Sequence, residues 1–325
     1  MKTVAEAATV GDLSVGLIGK EDVGEADRVF RLAFGTALGL PNPLAFGAGA
    51  ELVRTRWAAD PASAFKATVE DRLVGCAFVS RWGRFAVFGP LAVHPDYWDR
   101  GVGTRLWEAR LPLLDRWQTT HEGLFTRADS TKHLRLYQTF DFWPRFLTAI
   151  TSKEIGRESG SRPGRWTTMG RLGAAQHELR LEACRSITDA LLVGLDLERE
   201  IRAVLDQQLG DTILLGEPAS LEGFAVCHVG EGTEAGPDAC FVKFAAVRPG
   251  ARAAQHFEEL LDACEEFAVE SAAARLVAGV NVARHEAYRA LLARGHRTFV
   301  QGVAMHRGNQ PCYSRPGVYA LDDWR

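Results

Sequence analysis

The chain is short of several features that would have pointed elsewhere. No basic run with interleaved aromatics occurs, and 38 Lys+Arg against 41 Asp+Glu leave a net charge of −3, so nothing favours a nucleic acid or an anionic membrane as partner. Six cysteines, Cys76, Cys184, Cys227, Cys240, Cys264 and Cys312, lie apart among apolar neighbours with no Cys-x-x-Cys spacing. Each therefore reads as a buried reduced thiol, and no metal site is expected. No basic-then-apolar leader opens the sequence and no apolar run approaches the ~20 residues of a membrane span, which gives a cytoplasmic protein as the expectation. What is present is 325 residues, 46% hydrophobic and 24% charged. That suffices for a full core and is long for one compact domain but suited to two.

Residues 1–12 carry no strong pattern. Leu13, Val15, Leu17 and Ile18 then suggest a first strand, and Asp22 can cap a helix in which Ala26, Val29, Phe30 and Ala33 form an apolar stripe. Residues 35–49, with Pro41 and Pro43, read as a loop. Residues 64–70, 73–82 and 85–93 read as three consecutive strands of an antiparallel meander. Gly89-Pro90 interrupts the third, so that strand either bulges and parts from a neighbour there or is an edge strand tolerating a proline.

The stretch that states a chemistry is residues 91–106, Leu-Ala-Val-His-Pro-Asp-Tyr-Trp-Asp-Arg-Gly-Val-Gly-Thr-Arg-Leu. It is a strand end, a turn and a helix start, the helix continuing through Val102, Leu106, Ala109, Leu113 and Trp117. Gly101 and Gly103 sit where the helix begins, so backbone N–H groups of the first turn can converge on a diphosphate with no Cβ in the way. A Walker loop would need Lys-Ser or Lys-Thr after the second glycine, where Thr104-Arg105 stands, and a dinucleotide fingerprint would need glycine at Leu106. Both readings fail. Further on, Pro112 should kink or shorten the helix, residues 123–128 give a strand, and Asp129 or Ser130 can cap a helix through Leu134, Leu136 and Tyr137. A last strand, residues 146–155, completes the unit.

Leu91, Val93, Pro95, Gly101 and Gly103 resemble the acetyl-CoA loop of the GCN5-related N-acetyltransferases (GNAT), in which a Leu-x-Val-x-Pro strand end precedes Gln/Arg-x-x-Gly-x-Gly/Ala. The Gln/Arg position is Trp98 here. Leu136-Tyr137 resembles the family's late Leu-Tyr-x-x-x-Gly-Phe motif, with Asp141 in place of glycine and Ser130 in place of an asparagine seven residues before the tyrosine. The resemblance implies acetyl-CoA (CoA) bound by Leu91, Ala92, Val93, Trp98, Asp99, Arg100, Gly101, Val102, Gly103, Thr104 and Ser130. It also implies a strand that splays so that the pantetheine arm can bond its exposed backbone, Tyr137 as donor to the departing sulfur, and residues 35–49 over the acceptor mouth. The general base stays open: His94 is nearest the cofactor turn, with Asp96, Glu70, His121 and the tail's Asp322 or Asp323 as alternatives.

A second unit repeats the first faintly. Gly75-Cys76-Ala77-Phe78-Val79 recurs as Gly223-Phe224-Ala225-Val226-Cys227, Ala92-Val93-His94-Pro95 as Ala246-Val247-Arg248-Pro249, and Tyr137 as Tyr288, all at nearly equal offsets. Counted from the shared proline, the places of Gly101 and Gly103 are taken by Gln255 and Phe257, so the phosphate loop is gone. Asn281, Tyr288 and Gly295 fit the late motif, yet with no cofactor loop beside them they read as packing and capping residues. The expected fold class is α/β of the α+β type: two tandem GNAT-like units, each a mixed, mostly antiparallel sheet flanked by helices. The division is 1–155 for the acetyl-CoA domain, 156–175 for a linker, 176–307 for the degenerate domain and 308–325 for a tail that either docks or is disordered. The expected function is acetyl-CoA-dependent N-acetyl transfer to a small-molecule amine by a monomer or homodimer. The alternatives are a non-catalytic acyl-CoA-binding module and a GNAT-fold CoA-thioester enzyme that does not acetylate amines.

Overall fold

The structure is a computed structural model that describes residues 11–156, 165–217 and 220–324. The unpatterned residues 1–10, residues 157–164 of the expected linker, residues 218–219 and Arg325 lie outside the described residues. The first half runs β1 (Ser14–Leu17), α1 (Val23–Ala37), α2 (Leu52–Ala59), β2 (Ala64–Val69), β3 (Arg72–Trp82), β4 (Phe85–Val93), α3 (Val102–Glu108), α4 (Leu111–Arg116), β5 (His121–Thr126), α5 (Thr131–Gln138) and β6 (Phe142–Glu154). The second runs β7 (Trp166–Thr168), α6 (Ala174–Leu191), α7 (Glu198–Asp206), β8 (Gly210–Glu217), β9 (Ser220–Val229), β10 (Ala239–Val247), α8 (Ala253–Glu270), β11 (Arg275–Asn281), α9 (His285–Ala293), β12 (Arg297–Arg307) and β13 (Ala320–Leu321). The helix after the glycine loop is cut where Pro112 removes a donor to Glu108, giving α3 and α4.

The fold class is the expected one, a largely antiparallel mixed sheet flanked by helices. The strands of both halves join in one 13-stranded sheet, ordered β1-β2-β3-β4-β5-β12-β6-β11-β10-β9-β8-β7, with β13 beside β10. The last strands are exchanged. β12 of the second half pairs with β5 of the first, β6 of the first pairs with β11 of the second, and β6 and β12 pair with each other.

The expected linker differs from the sequence reading. Within 156–175, expected as linker, Trp166–Thr168 pairs with Ile213, Leu214 and Leu215 and extends the sheet by a strand. The strand is too short for a period to declare it. The tail docks: Val318, Ala320, Leu321 and Trp324 are buried.

Both faces of the first half are packed. Val102, Leu106, Trp107 and Tyr137 cover Ala77, Val79 and Phe88, while Ala26, Val29 and Phe30 of α1 cover Cys76, Phe78 and Ala92 on the other face. A further core joins the halves, with Trp82, Phe85 and Val87 against Leu181, Ile201, Phe224, Phe244 and Trp324. Gly75 and Gly223 occupy equivalent places opposite Val93 and Val247. A Cβ on Gly75 would lie 2.9 Å from Leu106, and one on Gly223 2.8 Å from Val247 and 3.4 Å from Leu260, so each half spends a glycine where strand, neighbour and helix crowd together.

Candidate active site

The only parallel pairs among the described strands are β4–β5 and its counterpart β10–β11. Phe85, Ala86, Val87 and Phe88 pair with His121, Glu122, Gly123 and Leu124, and the ladder then ends. Past it β5 turns to β12, with Phe125 opposite Ala304 and Thr126 opposite Val303. β4 bulges at Gly89-Pro90, where its register with β3 shifts between Ala77 and Val79, and continues on β3 alone as Leu91, Ala92 and Val93. Its other edge is open. His94 N–H donates to Val74 O at 2.8 Å. Because successive strand residues alternate sides, the amides of Leu91 and Val93 face the opening.

The loop follows directly. Asp99 (φ 61°) and Gly101 (φ 80°) turn the chain through left-handed conformations, and Gly101 is the N-cap of α3. Val102 is buried beneath the helix start. Gly103 lies beside the opening: a Cβ there would be 3.8 Å from Leu91, 3.9 Å from Leu136 and 4.0 Å from Val93. The space between β4 and α5 is thus kept clear at this point. Thr104 is half-buried in the first helical turn.

Trp98, at the departure from the motif, turns back and donates its indole N–H to Val93 O at 2.7 Å. Lys132 lies 5.3 Å from its ring and 2.8 Å from Asp99, and Arg100 stacks over Tyr97 at 5.6 Å, so two cations flank the loop. Ser130 caps α5 by position, its hydroxyl 2.7 Å from His133 Nδ1.

Tyr137 packs its ring on Trp107 at 5.2 Å, and burial pushes its hydroxyl well up from the ordinary value. His94 accepts from Asp96 N–H at 3.3 Å through Nδ1, and its Nε2 lies 3.3 Å from Arg72. Burial lowers its pKa, with Asp96 pulling the other way. It stands at the loop end of β4, five residues or roughly 16 Å from the bulge at Gly89. Asp96 and Glu70 are exposed, and His121 lies at the far end of β4 against Phe85 and Cys312. Asp322 is tied to Arg284 at 2.6 and 3.0 Å.

Sequence reasoning missed a cleft between the halves, beside the bulge on the α1–α2 side of the sheet. Arg56 of α2 donates to Gly89 O at 2.7 Å and holds Glu234 at 3.0 and 3.1 Å. Lys243 bonds Glu234 at 2.7 Å and Glu200 at 3.0 Å, and Glu200 accepts from Trp82 Nε1 at 2.9 Å. Burial pushes Glu234 up, yet Arg56 and Lys243 outweigh it and hold its carboxyl well below the usual range. The cleft is partly open to solvent, and Val79 and Ser80 are among the residues that line it. Asp323 and Trp324 of the tail line the adjoining pocket. The available signal was Lys243, a lone charge in a strand that otherwise reads Ala-Cys-Phe-Val-x-Phe-Ala-Ala-Val.

The second half repeats the splay and closes it. Ala239–Val242 pairs with β11, and the register with β9 shifts at Lys243, the place of Gly89. There the opening is filled by the chain itself, Leu321 and Ala320 pairing with Ala245 and Ala246. The turn before α8 is three residues shorter than that before α3, so the places of Gly101 and Gly103, counted from the helix starts, hold Arg252 and Ala254 in the structure. Asn281 Oδ1 accepts from Ala283 N–H at 3.0 Å, a turn-forming bond.

Residues 39–142 match the sequence profile of the Acetyltransferase (GNAT) family, a span that contains the open strand edge, the glycine loop and Tyr137. This segment is a GNAT domain. The family binds acetyl-CoA. No curated protein sequence matches the chain. Among solved structures, a putative acetyltransferase from Pyrococcus horikoshii aligns over 100% of this chain and 99% of its own, with 15% identity and a TM-score of 0.69. A GCN5-related N-acetyltransferase from Sphaerobacter thermophilus covers 92% of this chain and 96% of its own, at 15% identity and a TM-score of 0.59. At such identity the likeness is one of fold, and it extends over both halves. Beyond residue 142 the sheet is continued by β6 and by the exchanged strands. Among the described residues no helix is long and apolar enough to cross a membrane.

Proposed function

We propose that this protein is an acetyl-CoA-dependent N-acetyltransferase acting on a small-molecule amine, with the single acyl-donor site in the first half. The observation that carries the reading is the parting of β4 from β5 beyond Phe88 and Leu124, with the Leu91 and Val93 amides on the open edge and the Gly101 loop at its end. An extended pantetheine arm can bond that edge as an added strand, and the amides from Gly101 to Thr104 can take the diphosphate. The equivalent edge in the second half is occupied by β13. We further propose that the halves arose by duplication and that the second now serves as a wall for the acceptor.

In the transfer the amine nitrogen attacks the thioester carbonyl, a C–N bond forms and the C–S bond breaks. The amine's proton goes to a base and the departing sulfur receives one from an acid. Tyr137 serves as the acid in this reading: burial raises its pKa, which keeps it protonated at neutral pH, and no described residue bonds its hydroxyl. The amides beside the bulge can hold the carbonyl oxygen as it becomes anionic. His94, bonded on both sides at the diphosphate end, serves as a brace for the turn in this reading. The proton instead leaves toward the carboxylates of the cleft.

Calorimetry with acetyl-CoA on the wild type and on Gly103→Val tests the donor site. The valine has room to fold but fills the channel, so its heat of binding should vanish; equal heats would remove the loop assignment. Release of free CoA thiol with a panel of small amines then separates an enzyme from a binding module or another thioester enzyme.

A further inference from the structure

We propose that Arg56 and Glu234 are positioning residues for the acyl transfer: Glu234, from the second half, aims Arg56, and Arg56 holds the Gly89 carbonyl so that the Leu91 amide points at the thioester oxygen. The proposal rests on the acetyltransferase reading above and gives the second half a part in the donor site.

The bulge is the first ground. Gly89 and Pro90 pair in neither ladder, the register with β3 resuming at Leu91 and that with β5 ending at Phe88. The ladders therefore do not fix the peptide plane between these two residues. Arg56 does, by donating to Gly89 O at 2.7 Å through Nη1. Pro90 has no N–H and its ring locks φ, so only its ψ separates that plane from the amide of Leu91, the first donor past the bulge. An oxyanion donor is worth most when its direction is set beforehand.

The second ground is what aims Arg56. Its Nε and Nη2 meet the two oxygens of Glu234 at 3.1 and 3.0 Å, a two-pronged pair that fixes the guanidinium plane and leaves Nη1 directed at the bulge. Both side chains are buried, 7% and 3% exposed, so solvent screens the pair little. Glu234 is fixed in turn. Lys243 bonds it at 2.7 Å and Glu200 at 3.0 Å, and Glu200 accepts from Trp82 Nε1, so the chain of bonds that leaves β4 at Gly89 returns to β3 at Trp82 by way of the second half. The backbone repeats the grip. Gly232 N–H donates to Gly49 O at 2.9 Å and Glu51 N–H to Thr233 O at 3.0 Å, which holds the start of α2 against the turn that carries Glu234.

Release of free CoA thiol is measured on the wild type, Arg56→Lys and Glu234→Gln. Lysine keeps the charge but has no fork to bridge carbonyl and carboxylate. Its kcat should fall about thirty-fold, and that of Glu234→Gln about ten-fold, with the KM values for acetyl-CoA and amine unchanged. An amine KM that rises while kcat holds would make Arg56 an acceptor contact and overturn the proposal.

A second measurement needs no turnover. Acetyl-CoA, isotope-labelled at the acetyl carbonyl carbon for magnetic resonance, is bound to saturation by each protein in the absence of amine. In the wild type the bound signal should lie downfield of the free one, because a hydrogen bond polarises the carbonyl, and in both variants it should return toward the free position. A variant that has merely lost stability binds less but keeps the wild-type bound signal, and loss of a proton acceptor also leaves that signal unmoved. Equal bound signals in the three proteins overturn the proposal even if amines are acetylated. Displaced signals in the variants with no thiol release from any amine keep the Arg56 clamp and remove the acetyltransferase reading.

Discussion

Tyr137 is held by its ring, not by its hydroxyl. It packs on Trp107 and in the core beneath α3, and Oη has no partner among the described residues. Tyr137→Phe should therefore keep stability within about 1 kcal/mol while lowering kcat about a hundred-fold, with the acetyl-CoA KM unchanged. Steady-state kinetics and a melting curve check this, and unaltered turnover would remove Tyr137 from the mechanism. At this scale the glycine loop proposed as the donor site was legible and the cleft was not. Gly101 takes the left-handed backbone that glycine provides cheaply, and Gly103 follows two residues on in the first turn of α3. Arg56 and Glu234 meet across 178 residues, and His228 looks like any strand histidine until its neighbours are known.

Among elements, β13 carries the most consequence for its length. Its extension buries Arg284 completely, against Asp322, with Tyr313 Oη donating to Asp322 at 3.0 Å and Trp324 Nε1 to Tyr313 at 3.2 Å. Asp322→Ala leaves a guanidinium buried without its carboxylate and should destabilise by about 3–5 kcal/mol, read from the shift of a urea denaturation midpoint. A change below about 1 kcal/mol would mean that the tail is held by packing alone. The meander β2–β4 was legible almost to the residue, because its apolar runs are bounded by Asp71-Arg72 and Gly83. Helix α2 was not. It buries Val53, Thr55 and Arg56, a face with one apolar residue in three, so the stripe that betrays a helix is absent. Strand exchange left no trace either, since β6 and β12 have the same alternation whichever partner they take.

For the molecule as a whole, three buried histidines set the acid limb of stability. Burial lowers His228 and His296 to about 4 and His306 to about 3. Below about pH 6.5 the unfolded chain binds protons that these rings refuse when folded. Stability should therefore be level above that pH and fall as pH drops toward 4, by about 1 kcal/mol per pH unit for each ring. Denaturation midpoints at pH 7.5, 6 and 5 check it, and a flat series would contradict the burial of these groups. The order in which the chain is made has a bearing of its own. During synthesis the turn at Gly101 is made before β6, β11 and β12. Yet β5 keeps an open edge, and β6 has no neighbour at all, until β11 and β12 have followed. The wall that bears Lys243 is made before both of those strands, and Asp323 after them. A nascent chain can thus carry the glycine turn long before the strands that close the sheet beside it exist.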